Sequence, residues 1–269
     1  ARAMRDADDA SIERARAAVV ALYDARSTRA TRDEANARLM ALSEDPRAAS
    51  VALGLLERAR GDACVAYYAA NALSATTRSR ERWNGASEGA REAMMRRTTA
   101  AFAATANDET TETAARRLGL ALARGGARMG SAKMREVVET AFGAVRSSGV
   151  GSSAMRAGME LLALAAEACD EAETSSRREL AMACANEGER VLITVREVFS
   201  ACGSARSRQT DALKASCVRA ARGWLKLDPS GDVGGGLRLS PTEFAVRHGQ
   251  LFGDVLQCLA IESGGCGAA

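Results

Sequence analysis

Histidine, proline, lysine and aromatic residues are all scarce in this chain, and each scarcity narrows what it can be. His248 is the only histidine. A His-dependent triad would have to use it, yet no G-x-S-x-G elbow or neighbouring acid accompanies it. The residue is expected on an exposed or half-buried helix face. The three prolines, Pro46, Pro229 and Pro241, all fall at predicted breaks, so no predicted helix interior is interrupted. Aromatics make up 4% of the residues while hydrophobic residues make up 47%. The core must therefore be built from Ala, Leu, Val and Met, which favour helix. No run of alternating β-branched residues signals a strand. No run of about 18 apolar residues could span a membrane, and no apolar signal-peptide core lies near the start. These absences leave an all-α protein.

Only Lys133, Lys214 and Lys226 supply lysine, so Arg carries almost all the positive charge. Arg suits RNA and phosphate. The net charge is only +3, however, and the charges are interspersed. No dense basic block with interleaved aromatics is present, so direct nucleic-acid binding is not expected. The Arg surplus reads as a base-composition bias toward Arg and Ala codons. Seven cysteines, Cys64, Cys169, Cys184, Cys202, Cys217, Cys258 and Cys266, form no C-x-x-C pair. Most lie on apolar helix faces and are expected as buried thiols rather than disulfides or zinc ligands.

What is present is a succession of amphipathic helices with short polar breaks. The first pair is Ser11–Asp24 and Thr31–Leu42, with Val19, Val20, Leu22 and Tyr23 expected to face Ala35, Leu39 and Leu42. The second is Arg47–Arg60 and Ala63–Thr77, with Val51, Leu55 and Leu56 packing on Val65, Tyr68, Ala69 and Leu73. Asp45-Pro46 reads as its N-cap and first helical residue, and Gly61-Asp62 as the turn within it. The third pair is Ser87–Thr105 and Glu109–Arg124, cored by Met94, Met95, Phe102, Leu118, Leu120 and Leu122. The fourth is Ala132–Val145 and Ser152–Cys169, with Val137, Val138, Phe142 and Val145 against Met155, Met159, Leu162 and Ala166. The fifth is the long helix Arg177–Cys202 and then Gln209–Leu227, where Leu213, Cys217, Ala220, Trp224 and Leu225 are apolar.

Asp228–Leu239 is glycine-rich and reads as a flexible loop. Gly231-x-x-Gly234-Gly235-Gly236 lacks the G-K-[ST] end and preceding strand of a P-loop. A sixth, incomplete unit runs from Ser240 to about Ile261, and the tail 262–269 is expected to be disordered. Residues 1–10 form an N-terminal extension. The period is about 40–45 residues per pair, as in HEAT-type arrays. The expectation is a right-handed α-solenoid of about six HEAT-type helix pairs over residues 11–261. Solenoids bind rather than catalyse. Acidic pairs such as Asp8-Asp9 and Asp33-Glu34 suit helix starts, and no enzymatic activity, cofactor or metal is expected.

The segment Val20–Leu73 resembles the N-terminal region of the importin-β superfamily, most closely its transportin-SR / importin-13 branch. Ala21-Leu22-Tyr23 matches the branch's opening A-L-Y helix, and Asp45-Pro46-Arg47-Ala48 stands where it has S-P-x-A. Leu55-Leu56 matches a helix-ending double leucine. Tyr67-Tyr68-Ala69-Ala70-Asn71-Ala72-Leu73 matches the signature Y/F-F-A-A-Q-T-L, with Trp83 near the aromatic that follows it. Farther on, Glu160-Leu161-Leu162, the long helix Arg177–Cys202 and Leu213–Leu227 with Trp224 resemble the family's E-L-L helix, its long fifth-repeat helix and its C-L-x-x-W segment. Arg38 and Ala49 stand where the family has tryptophan, and Thr76 lies near its usual lysine.

The resemblance implies a nuclear transport receptor that shuttles between cytoplasm and nucleus. The second helix of each pair would line a concave face. Ran in its GTP form would be gripped by that face in the first repeats. Protein cargo, including Arg/Ser-rich splicing factors, and nucleoporins would be further partners, and import the expected direction. Arg32, Asn36, Asn71, Ser74, Arg116 and Arg117 are the polar candidates for the GTPase contact. Family members are several times longer, and this chain begins with Ala1. It is therefore expected to be an N-terminal portion, with apolar surface left open after Ile261. A HEAT-type scaffold without a GTPase partner is the alternative, and an Arg-rich RNA-binding solenoid the third.

Overall fold

The computed structural model describes residues 9–59, 61–203, 207–227, 246, 248–250 and 253. Eleven α-helices and one 3-10 turn account for most of them, and no strand occurs among the described residues. The chain is all-α, as its composition requires. It divides into two compact units, Ala1–Gly125 and Gly126–Ala269, with the division falling inside one helix.

The first unit opens with α1 (Asp9–Tyr23) and α2 (Arg29–Glu44), which pack on each other, followed by α3 (Ala48–Arg58) and α4 (Ala63–Arg78), which do the same. The pairs stack through α1 on α3 and α4. Next come α5 (Arg80–Gly85), α6 (Glu88–Ala106), the 3-10 turn Glu109–Thr111 and α7 (Glu112–Met129), with α6 lying on α3. The helix starts are set by short polar side chains. Thr28, Ser79 and Ser87 each accept a backbone N–H three residues on, satisfying donors that a helix start leaves open.

Between α3 and α4 the expected turn is found. Gly61 sits at φ +86°, where a side chain would be strained. Asp62 accepts from both Cys64 N and Val65 N at 3.1 Å. Asp62→Ala should therefore cost about 1 kcal/mol, measured as a shifted urea midpoint at unchanged slope.

The core of this unit is narrower than its hydrophobic content suggests. Ile12, Ala15 and Val19 of α1 meet Ala35 and Leu39 of α2 in its buried layer. Two expectations need correction here. Val20 and Tyr23 are 45% and 49% exposed: Val20 lies beside the buried stripe through Ile12, Ala15 and Val19, whereas Tyr23 lies in line with that stripe but ends α1. The Asp45-Pro46 pair does not start α3. Asp45 closes α2, its N–H donating to Leu42 O, while its carboxylate accepts from Arg47 N at 2.7 Å. Leu56, Tyr68 and Leu120, also expected in the core, are half-buried. The short helix α5 was not anticipated. It buries Trp83 to 2% exposure, and Gly125 of α7 gives the ring room, since a Cβ there would lie 3.3 Å from Trp83 Cη2 and 2.4 Å from Met95 Sδ.

The family tryptophan positions resolve differently. Arg38 lies on the open side of α2, paired with Glu34 at 2.6 Å, so no large apolar group is needed there. Ala49 is buried. Thr76, near the family's lysine, is buried with its hydroxyl donating to Ala72 O at 3.0 Å.

The second unit contains α8 (Ser131–Arg146), α9 (Ser153–Asp170), α10 (Thr174–Ala201) and α11 (Arg208–Lys226). α8 packs on α9 and α10 on α11, while α9 lies on α11 and α8 on α10, so like helices stack on like. The expected layer of Val137, Val138, Phe142 and Val145 against Met155, Met159, Leu162 and Ala166 is buried throughout. Leu213, Cys217, Ala220 and Trp224 are buried as well, with Leu225 half-buried. The Trp224 indole N–H donates to Leu162 O at 2.9 Å, tying α11 to α9. Arg219 adds a two-pronged pair with Glu167, both contacts 2.8 Å. Arg190 reaches Glu139 and Glu187 and lies 3.9 Å from the Phe142 ring centroid.

The thiols divide. Cys169, Cys184, Cys202 and Cys217 are buried as expected, whereas Cys64 is exposed. Burial pushes the Cys217 thiol pKa well above its ordinary value. His248 is 3% exposed rather than exposed or half-buried. Cys258, Cys266, the glycine-rich loop, most of the sixth unit, the tail and the segment after Ile261 lie outside the described residues.

Candidate partner-binding face

The first unit presents one face where its second helices meet solvent. Along α4, burial of Val65, Ala66, Ala69, Ala70 and Leu73 turns the opposite stripe outward. Cys64, Asn71, Ala75 and Arg78 are exposed there, and Tyr67 is half-buried. Their spacing of three and four residues keeps them on one side of the helix.

Tyr68, one residue round from Tyr67, donates its hydroxyl to Leu39 O at 3.3 Å and joins α4 to α2. Burial pushes the Tyr68 phenol above its ordinary pKa.

Aromatic and cationic groups converge at the start of this stripe. α1 packs on α4, and the Tyr23 phenol at the end of α1 is raised above its ordinary pKa by partial burial first and then electrostatically by Tyr67 and Cys64. Arg117 of α7 places its guanidinium carbon 6.0 Å from the Tyr67 ring centroid. On α2, Met40 is 61% exposed, with Asn36 one turn away, its Nδ2 3.9 Å from the Met40 sulfur. Tyr67, Asn71 and Arg117 thus lie on the outward side of α4 and α7, while Met40 and Asn36 are exposed on α2. Tyr, Met and Arg are the residue types enriched where proteins dock.

The six sequence candidates take different places. Asn36, Asn71 and Arg116 are exposed, and Arg117 is half-buried against Tyr67. Arg32 is half-buried and donates to Asp24 O and Ala25 O, both at 3.1 Å, sealing the end of α1. Its guanidinium is engaged in the fold. Ser74 is 4% exposed and lies on the inward side of α4, so it does not reach the face. Tyr23, Met40 and Tyr67 were missing from the candidates. The α1 stripe puts Tyr23 in line with Val19, so its exposure at the helix end does not follow from spacing, whereas the α4 stripe carries Tyr67 with Asn71.

The face holds no paired nucleophile and base, and His248 belongs to the other unit. Among the described residues no group of three or more His, Cys, Asp or Glu is placed to hold a metal ion, and no helix is long and apolar enough to cross a membrane. Comparison with protein-family models, curated proteins and solved structures finds no match for this chain.

Proposed function

We propose that this chain is a helical-repeat receptor that docks a partner protein on the face formed by α2, α4 and α7. The partner is Ran in its GTP form, and the chain belongs to the nucleocytoplasmic transport machinery. The observation that carries the reading is the Arg117 guanidinium set 6.0 Å from the centroid of the Tyr67 ring on the outward stripe of α4. A ring and a guanidinium brought together from neighbouring helices are the kinds of group that supply most of a protein interface's energy. The same face carries the Y-Y-A-A-N-A-L run through which the chain resembles the importin-β superfamily. On this reading the pairs continue as a right-handed HEAT-type superhelix. The chain shuttles between cytoplasm and nucleus, engages nucleoporins and carries protein cargo, Arg/Ser-rich splicing factors among them. It acts by binding, without catalysis or cofactor.

The face is tested by substitution. Tyr67→Ala combined with Arg117→Ala should weaken Ran-GTP binding at least about tenfold, a change of about 1.4 kcal/mol, with the helical circular-dichroism signal retained. A folded double variant that binds as tightly as the parent would remove the face from the interaction. A folded parent chain that binds neither nucleotide form would favour a HEAT-type scaffold instead.

A further inference from the structure

We propose that the first unit carries a second binding site, a cleft that takes a short, charge-mixed peptide segment of a partner protein. The cleft is open to solvent on one side and has room for about 860 Å³ between the α2–α3 turn, Thr76 of α4, the helix α5 and the start of α6. That volume lies in the range of ligand-binding clefts and exceeds what a single inorganic anion fills.

The lining has an unusual balance of spent and unspent polar groups. Arg47 and Asp45, both on the rim, are paired with each other at 3.0 Å. Arg82 and Arg91 also line the cleft, and neither guanidinium meets a carboxylate or carbonyl among the described residues. Arg91 instead lies 6.0 Å from the Trp83 ring centroid. Glu44 and Glu81 line the same cleft without a cation among the described residues.

Beneath them, Trp83 is 2% exposed and its indole N–H has no acceptor, and the Nε of Arg91 is buried with none either. Trp224 in the second unit shows the contrast, because its N–H donates to a carbonyl at 2.9 Å. Buried donors ordinarily find partners, so two beside one cleft point to an acceptor supplied from outside.

The charge pattern selects the occupant. Two unspent guanidiniums call for a carboxylate, which Arg binds in two-pronged fashion. Two unspent carboxylates call for a cation and repel a polyanion, which argues against nucleic acid. One chain bearing an acidic and a basic side chain satisfies both. The site is distinct from the Tyr67–Arg117 face and does not depend on the identity of the partner there.

The experiment follows the two indole N–H resonances of the full 15N-labelled chain, assigned with Trp83→Phe. The probe is a pool of blocked hexapeptides, each with one Glu and one Lys among small residues. The expected result is a saturable shift of the Trp83 resonance while Trp224 stays in place. Arg82→Ala with Arg91→Ala should raise the half-saturation concentration at least tenfold. Gly85→Trp should abolish the shift; this position lines the cleft, and an added side chain there meets nothing within 4 Å. No shift of Trp83, a shift that both variants leave unchanged, or an equal shift with a hexanucleotide RNA or with inorganic phosphate would each overturn the proposal.

Discussion

Trp224→Ala should destabilise the second unit by about 3–5 kcal/mol, the range for truncating a large buried aromatic. The ring is 0% exposed, and its N–H reaches Leu162 O across the α9–α11 contact. Leu213, Cys217 and Ala220 on the same helix are all buried but small or medium in size. In a chain with so few aromatics, nothing nearby can expand to fill the space. The loss is large against the roughly 5–15 kcal/mol by which domains are typically stable.

Trp224→Phe should cost far less, about 1 kcal/mol. It keeps most of the ring, and Leu162 O remains within α9. Urea denaturation followed by far-ultraviolet circular dichroism checks both. A Trp224→Ala variant within 1 kcal/mol of the parent would show that the α9–α11 layer does not rest on this ring.

The second large effect concerns glycine, and its sign depends on position. Gly158 on α9 faces the backbone of α8. A Cβ there would lie 2.7 Å from Ala141 O, 2.8 Å from Val145 Cγ2 and 3.1 Å from Val145 N. Helix propensity alone would make Gly158→Ala favourable by about 1 kcal/mol. The carbonyl and amide cannot step aside as a side-chain end could. The overpacking cost of about 1–3 kcal/mol therefore wins. Gly158→Ala should destabilise and Gly158→Val should do so more strongly.

Gly143 on α8 is the control. It is exposed, and an added Cβ meets nothing within 4 Å, so Gly143→Ala should raise stability by up to about 1 kcal/mol. Thermal melts of the three variants against the parent decide it. A stabilising Gly158→Ala would mean that α8 and α9 stand farther apart than described.

Residue periodicity made the helices legible. Ten of them follow from apolar spacing, and the structure adds caps the spacing does not show, Thr28, Ser87 and Ser152 each accepting a backbone N–H. The misses have physical causes. Val20 lies off the buried stripe of α1, and Tyr23, one turn beyond Val19 and in line with it, is exposed because the helix ends there. The stripe through Ile12, Ala15 and Val19 shows which face is buried. Asp45-Pro46 has the composition of a helix start, but the carboxylate is drawn to Arg47 and closes the turn instead.

α5 escaped because six residues are too few to show a period, although Ser79 caps it as a serine should. The Gly158 contact involves α8 backbone, which side-chain patterns do not encode. The candidate face was legible only in part. Asn71 and Arg117 follow from the second-helix stripe, whereas the role of Tyr23 depends on how α1 ends against α4.

The proposed role of the Tyr67–Arg117 face is to dock Ran in its GTP form. The most direct measurement is calorimetric titration of the intact 269-residue chain with Ran loaded with a non-hydrolysable GTP analogue and, separately, with GDP. The account predicts a saturable isotherm for the GTP form and at least about tenfold weaker binding of the GDP form. Equal affinity for the two forms, or no heat with either while the chain retains its helical signal, would contradict it.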